Sequence, residues 1–274
     1  MQAVSRRWES WNPVSGCTHA SEGCRHCYAE RFAERWRGIP GHHYEHGFDL
    51  TLRPERLELP LHWQKPRHVF VTSMSDLFHE RIPDDYVRAV FAVMERAPWH
   101  VYHVLTKRDR RLLALAPTVP WPPQVHLGVT VESMTYARRA DALRTVPAAL
   151  RHVSAEPLLG PLDELDLTGI DWVIAGGESG PTRRPPRLEW LRGLRDHCLA
   201  EGVAFSFKGW GGRVQGAEGR LLDGRVWDQR PPFPGFDDAT WRGGSQGVRA
   251  RDAAGGRQSA TGPAHVGQAP LWEE

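Results

Sequence analysis

Three of the chain's four cysteines crowd into one short stretch, SGCTHASEGCRHCYAERF, which begins at Ser15. They are Cys17, Cys24 and Cys27. Cys24 and Cys27 form a C-x2-C pair, whose spacing lets the chain fold back so that both sulfurs reach one metal. Cys17 lies upstream across the flexible THASEG. A structural zinc site is closed by four ligands, and His19 or His26 stands close enough in sequence to be the fourth. Three thiolates alone leave one position open, as a catalytic centre requires, and iron–sulfur clusters are held by cysteine thiolates. A cluster, a zinc site and a set of redox thiols are the chemistries this pattern allows.

Such a centre needs elements that bring other groups to it. Short β-rich runs recur, most of them followed by helical patterns. The expected strands are a weak one ending near Asn12, then Phe48–Leu52, His68–Thr72, Val101–Leu105, Val125–Thr130, Arg151–Ser154, Trp172–Ala175 and Val203–Phe207. Tyr28, Phe32 and Trp36 fall at helical spacing, and Trp190, Leu191, Leu194 and Cys198 make another apolar helix face. Asp84 reads as an N-cap ahead of Val87, Val90, Phe91 and Met94. Alternating β and α implies a parallel sheet. Eight βα units in about 210 residues fit an α/β fold of the (β/α)8 type, a TIM-like barrel near the small end for that class. A doubly wound open sheet is the rival, and periodicity does not separate the two. The expected organisation is a barrel over residues 1–212, a loop or hairpin extension over 213–240, and a disordered tail over 241–274. That tail is rich in Gly, Ala, Arg, Ser and Gln and has too few large apolar residues to order itself.

In a parallel barrel the chemistry gathers where the strands end, and here those ends are polar. Ser73, Ser75 and Asp76 follow the third run, and Thr106, Lys107 and Arg108 the fourth. Thr130, Glu132 and Ser133 follow the fifth, Glu156 the sixth, Gly176, Gly177 and Glu178 the seventh, and Lys208 the eighth. With the cysteines they would line one mouth with carboxylates, amines and thiolates. The glycines at 176 and 177 would let a ligand approach the backbone closely. The common nucleotide, hydrolase and metalloprotease signatures are absent. GESGP departs from the GxSxG elbow, and no second histidine follows His79-Glu80.

The composition, 40% hydrophobic and 25% charged, is that of an ordinary globular chain. A net charge of +2 neither demands nor excludes nucleic acid. No apolar run approaches the roughly 20 residues of a membrane span, and MQAVSRRWES lacks the apolar core of a secretory signal. A cytoplasmic protein without a membrane partner is expected, in which clustered cysteines bind metal or do redox work. A zinc-stabilised, non-catalytic nucleic-acid-binding protein is the alternative. Strand-end carboxylates speak against it, because they repel phosphate.

The runs WNPVSGC, GCRHCYAERFAER, VFVTSMSDLFHE, VLTKR, GVTVES, SAEPLLGPL, DWVIAGGESGPTRRP, FSFKGWGG and LLDGRVWDQRP resemble, in order, a phage- and bacterium-associated family of unknown function. That family is grouped with radical-SAM enzymes. The likeness runs from about Trp8 to Pro231. It implies a [4Fe–4S] cluster on Cys17, Cys24 and Cys27, with S-adenosylmethionine on the fourth iron. An electron from an external donor would then yield a 5′-deoxyadenosyl radical that takes hydrogen from a substrate. Under this resemblance Ser75, Asp76, Gly176, Gly177 and Glu178 are candidate cofactor contacts. Lys107, Glu156 and Lys208 are candidate catalytic groups. Asp76 and Glu178 suit an ammonium or a ribose, whereas Lys107, Lys208, Arg183 and Arg184 suit a carboxylate or phosphate. A nucleotide or nucleic acid is the first candidate substrate, from the phage association, the twelve tryptophans available for stacking and the arginines after GGESGP.

Overall fold

A computed structural model describes residues 8–214 and 216–232 of the chain. In chain order its elements are β1 (Trp8–Trp11), β2 (Val14–Ser15), α1 (Tyr28–Ala33), β3 (Thr51–Leu52), α2 (Leu59–His62), β4 (His68–Val71), α3 (Asp84–Arg96), β5 (Val101–Thr106), α4 (Asp109–Leu115), β6 (Val125–Thr130), α5 (Arg138–Arg144), β7 (Leu150–Ala155), β8 (Trp172–Gly176), α6 (Leu188–Ala200), β9 (Ala204–Gly209), β10 (Leu221–Leu222) and β11 (Arg225–Val226). No helix among the described residues is long and apolar enough to cross a membrane. The tail expected over 241–274 lies outside the described residues.

Seven strands form one parallel sheet in the order β1-β4-β5-β6-β7-β8-β9. Each strand lies beside the next one in chain order, so the crossovers all run in one direction. A doubly wound sheet reverses direction midway, and this one does not. The sheet curls into a half-barrel rather than a closed ring of eight. The missing member is the run expected over Phe48–Leu52. There, Thr51 and Leu52 alone are extended, and they pair antiparallel with Val14 and Ser15. Phe48 instead joins a small satellite core with Ala29, Ala33, Tyr44 and Met74. Its backbone nitrogen donates to Glu34 (2.9 Å) and its carbonyl accepts from the Cys17 nitrogen (3.2 Å). The segment thus clamps the cysteine loop and leaves the sheet one strand short. The far edge is covered where Trp227 and Gln229, beyond the β10–β11 hairpin, bond to the backbone of β9.

The strands alternate because their two faces meet different surroundings. Val69, Val71, Tyr102, Val104, Leu127, Val129, Val153, Val173 and Phe205 are fully buried in the main core with the helices. Val87, Val90, Phe91 and Met94 of α3 are fully buried in the same core, each contributing about 1.5–3 kcal/mol. Asp84 proves to be the first residue of α3, with Pro83 as the N-cap. Pro83 holds the extended conformation of an N-cap, and the Asp84 carboxylate still favours the positive end of the helix. The expected α6 stripe buries Leu191, Leu194 and Cys198, whereas Trp190 is only partly buried against the same core. In α1 the buried pair is Ala29 and Ala33, and Tyr28 and Phe32 face outward.

The opposite, concave face carries imidazoles. His68 and His103 are bonded ring to ring (3.1 Å), and His103 stands edge-on to His126 at 5.0 Å. Trp8 packs on His103 at 4.6 Å, and His152 lies 6.0 Å from Trp172. Burial is the largest cause of a lowered pKa in all four: to about 3 in His68 and His126, about 4 in His152, and well down in His103. These rings titrate near 6.5 in the unfolded chain, so between about pH 6.5 and 4 the unfolded state binds more protons. Their contribution is whole above pH 6.5 and is lost on acidification, each approaching ~1.4 kcal/mol per pH unit. Urea midpoints should therefore fall steeply from pH 7 to pH 5. A midpoint flat over that interval would show that these histidines are charged or wet in the folded protein.

Candidate functional site

The cysteine loop lies across the ends of the parallel strands, held by bonds to four of them. After β4, the residue Thr72 has a left-handed φ of 58°, which turns Ser73–Asp76 toward the loop. There the Gly16 nitrogen donates to the Met74 carbonyl (2.9 Å), Ser75 Oγ to the Gly16 carbonyl (2.5 Å), and Tyr28 Oη to the Ser73 carbonyl (2.7 Å). After β5, Arg108 donates to the Thr18 carbonyl (2.7 Å) and hydroxyl (3.0 Å). After β8, His26 Nδ1 lies 2.9 Å from Glu178, and Arg31 donates to the Ser179 carbonyl (3.0 Å).

The fourth tie, after β6, is Glu132, which is fully buried. Its Oε1 accepts from Ser21 Oγ and its Oε2 from Arg139 Nη1 (2.8 Å). Arg139 is itself 1% exposed, and Lys107 Nζ stands 3.9 Å from Glu132 Oε1. Gly23 lies directly on this carboxylate. A Cβ at Gly23 would sit 2.3 Å from Glu132 Oε1, so any side chain there would lift the loop.

All three loop cysteines are half-buried free thiols. Burial, and then the Asp76 carboxylate, push the Cys17 thiol up to about 11. Burial also raises Cys27. Arg108 Nη2 donates toward Cys17 Sγ at 3.7 Å, and the Ala20 nitrogen toward Cys24 Sγ at 3.5 Å. Among the described residues no three His, Cys, Asp or Glu side chains already stand in metal-ligating geometry. In donor chemistry the loop nevertheless fits an iron–sulfur cluster. It offers three free thiols on one short segment, with N–H donors aimed at two of the sulfurs, the contacts that tune such centres. Cys198 lies apart in the core, where burial pushes its thiol up to about 12.

The other expected residues do reach this mouth, but several are already spent. Asp76 accepts from Thr106 Oγ1 (2.7 Å), the Lys107 nitrogen (2.9 Å) and the Phe78 nitrogen (3.0 Å), and so fastens β4 to β5. Burial works against ionisation of Glu178, but bonds from Arg184 and His26 outweigh it and hold its carboxyl below the usual range. Arg184 is thereby used, and Arg183 pairs with Glu218. Lys208 Nζ lies 3.3 Å from Glu156, at the rim. Gly176 and Gly177 leave no room for a ligand at the backbone. A Cβ at Gly176 would meet Glu156 Oε1 at 2.7 Å, and one at Gly177 the Trp210 carbonyl at 2.1 Å. The smallness of Gly176 admits the Glu156 side chain that follows β7, and that of Gly177 lets the chain after β9 pack on β8.

In the sequence Glu132 is one strand-end group among several, with nothing to set it apart as a site residue, and no motif points to Arg139. Glu132 shares its position after a strand with Glu156, and nothing in composition says which one is buried. Arg139 stands beside Arg138, its like in the sequence, yet Arg138 is exposed on Asp109.

Fold and site together define an α/β protein with a curled parallel sheet and a three-cysteine loop across its strand ends. The family model described as a protein of unknown function (DUF5131) matches residues 4–231, and the chain belongs to that family. No curated protein and no solved structure matches the chain.

Replacing Glu132 with Ala leaves Arg139 charged and buried without its partner, a loss of about 3–5 kcal/mol. It also frees Ser21 and Gly23. The melting temperature should fall, and alkylation of the loop cysteines in the folded protein should accelerate. Glu132→Gln, which keeps shape but not charge, should fall between. Unchanged melting and unchanged alkylation in Glu132→Ala would mean that the loop is held by its other ties.

Proposed function

We propose that the chain is an iron–sulfur enzyme of the radical-SAM type, with Cys17, Cys24 and Cys27 as cluster ligands. The observation that carries this reading is a loop of three free cysteines laid over the ends of a curled parallel sheet. Cys17, Cys24 and Cys27 would hold a [4Fe–4S] cluster there, which with S-adenosylmethionine and an external electron donor would supply radical hydrogen-abstraction chemistry. The chain's own part is to bind, orient and exclude water. Arg108 and the Ala20 amide direct N–H groups at sulfur, and the Arg108 guanidinium opposes the upward push of burial on the Cys17 thiol. Because burial holds Cys17 as a thiol, metal binding releases protons and tightens as pH rises. Glu132, through Ser21, fixes the height of the loop above the strands. Lys107 and the Glu156–Lys208 pair supply charges at the mouth for orienting a polar substrate.

Anaerobic reconstitution should load about four irons per chain. Ala at Cys17, Cys24 or Cys27 should abolish loading, whereas Cys198→Ala should retain it, since that thiol is buried away from the loop. The loaded, reduced protein should cleave S-adenosylmethionine to 5′-deoxyadenosine. Tightly held stoichiometric zinc with no iron uptake would instead favour the zinc-stabilised, non-catalytic alternative.

A further inference from the structure

Beside the cysteine loop lies a second concavity of about 330 Å³, whose wall includes Ala20 of the loop itself. Six cations line it, Lys107, Arg108, Arg110, Arg111, Arg138 and Arg139, against two carboxylates, Glu80 and Asp109. Both carboxylates are engaged, Glu80 with Arg108 and Asp109 with Arg138, each at 2.7 Å. Donors remain. Arg110 is exposed and makes no ion pair or hydrogen bond among the described residues.

From this we infer that the cavity is a subsite for a phosphate ester. With Asp84 on Arg111 and Glu132 beside Arg139 and Lys107, six cations meet four carboxylates, so net positive charge remains, and Arg110 has no partner among the described residues. Five of the six cations are arginines, whose planar N–H pairs match phosphate oxygens. The exposed Arg110 guanidinium and the half-buried Lys107 ammonium are the donors open to an incoming anion, and a phosphate, monoester or diester, offers an oxygen to each. The volume exceeds that of a bare ion, so room is left for the group the phosphate esterifies. Arg108 spans both sites, since the guanidinium on this wall also reaches the Thr18 carbonyl and Cys17 Sγ. A phosphate held here would place the rest of its molecule against the loop. That the bound phosphate belongs to the substrate rests on the proposed function; that the cavity takes a phosphate does not.

The test is binding of a fluorescent single-stranded oligonucleotide to the full chain over a range of salt, with inorganic phosphate and a nucleoside monophosphate as competitors. Arg110→Glu should weaken binding at least tenfold and lower the salt slope by about 1. Arg220→Glu, the same charge change at another exposed site, should do much less. Direct binding of the monophosphate, read by calorimetry, without oligonucleotide binding would assign the site to a small phosphorylated molecule, and oligonucleotide binding to a nucleic-acid backbone; either, when lost in Arg110→Glu, upholds the subsite. No binding of any of the three, or equal effects of the two variants, would overturn it. Iron loading is measured separately. Protein that takes up no iron yet binds through Arg110 would sink the enzyme reading and leave this one standing.

Discussion

A carboxylate buried without solvent must be paired, and the pairing of Glu132 is what the architecture of the mouth depends on. One oxygen is given to Arg139, which is as deeply buried, and the other to Ser21 of the cysteine loop. The first bond cancels charge within the scaffold. The second converts that interior network into a fixed point for the loop, and Gly23 lets the backbone come down onto it. The arrangement costs stability, because two buried ions seldom outperform an apolar pair of the same size. Its return is geometric: a segment with little regular structure is set at one height above the strands.

The sheet makes that position meaningful. Because every crossover runs one way, the helices cover one face and the concave face turns inward. Its lower part is filled by His68, His103, His126, His152 and the indoles of Trp8 and Trp172, so the open end is where the strands finish. There the strand-end residues divide into two kinds. Asp76 and Glu178 hold elements together, while Lys107, Glu156 and Lys208 stand at the rim with fewer ties. Absence of closure is tied to the loop as well, since the chain that would have made the missing strand, Phe48–Leu52, is spent on holding Cys17.

Much of this was legible in the sequence. The strand runs from His68 to Phe207 show period-two alternation because their two faces meet different surroundings, and that pattern survives without tertiary information. The polar residues after each run were equally visible, and they do converge. What stayed hidden was pairing. Phe48–Leu52 has strand composition, but its partner is β2 and its buried contacts are with α1. Gly176 and Gly177 looked like room for a ligand, and only the positions of Glu156 and Trp210 show the space to be filled. Arg139 could not be told from Arg138, because burial of one arginine of a pair depends on which side of a short helix meets Glu132.

The proposed chemistry requires that three thiols of one loop share a metal centre with an open position. Electron paramagnetic resonance of anaerobically loaded, dithionite-reduced protein tests this most directly, recorded before and after addition of S-adenosylmethionine. The expected result is a spin-half iron–sulfur signal whose g values move when S-adenosylmethionine is added, and whose intensity is lost in Cys24→Ala. A signal that S-adenosylmethionine leaves unmoved, or one that survives the loss of Cys24, would contradict it.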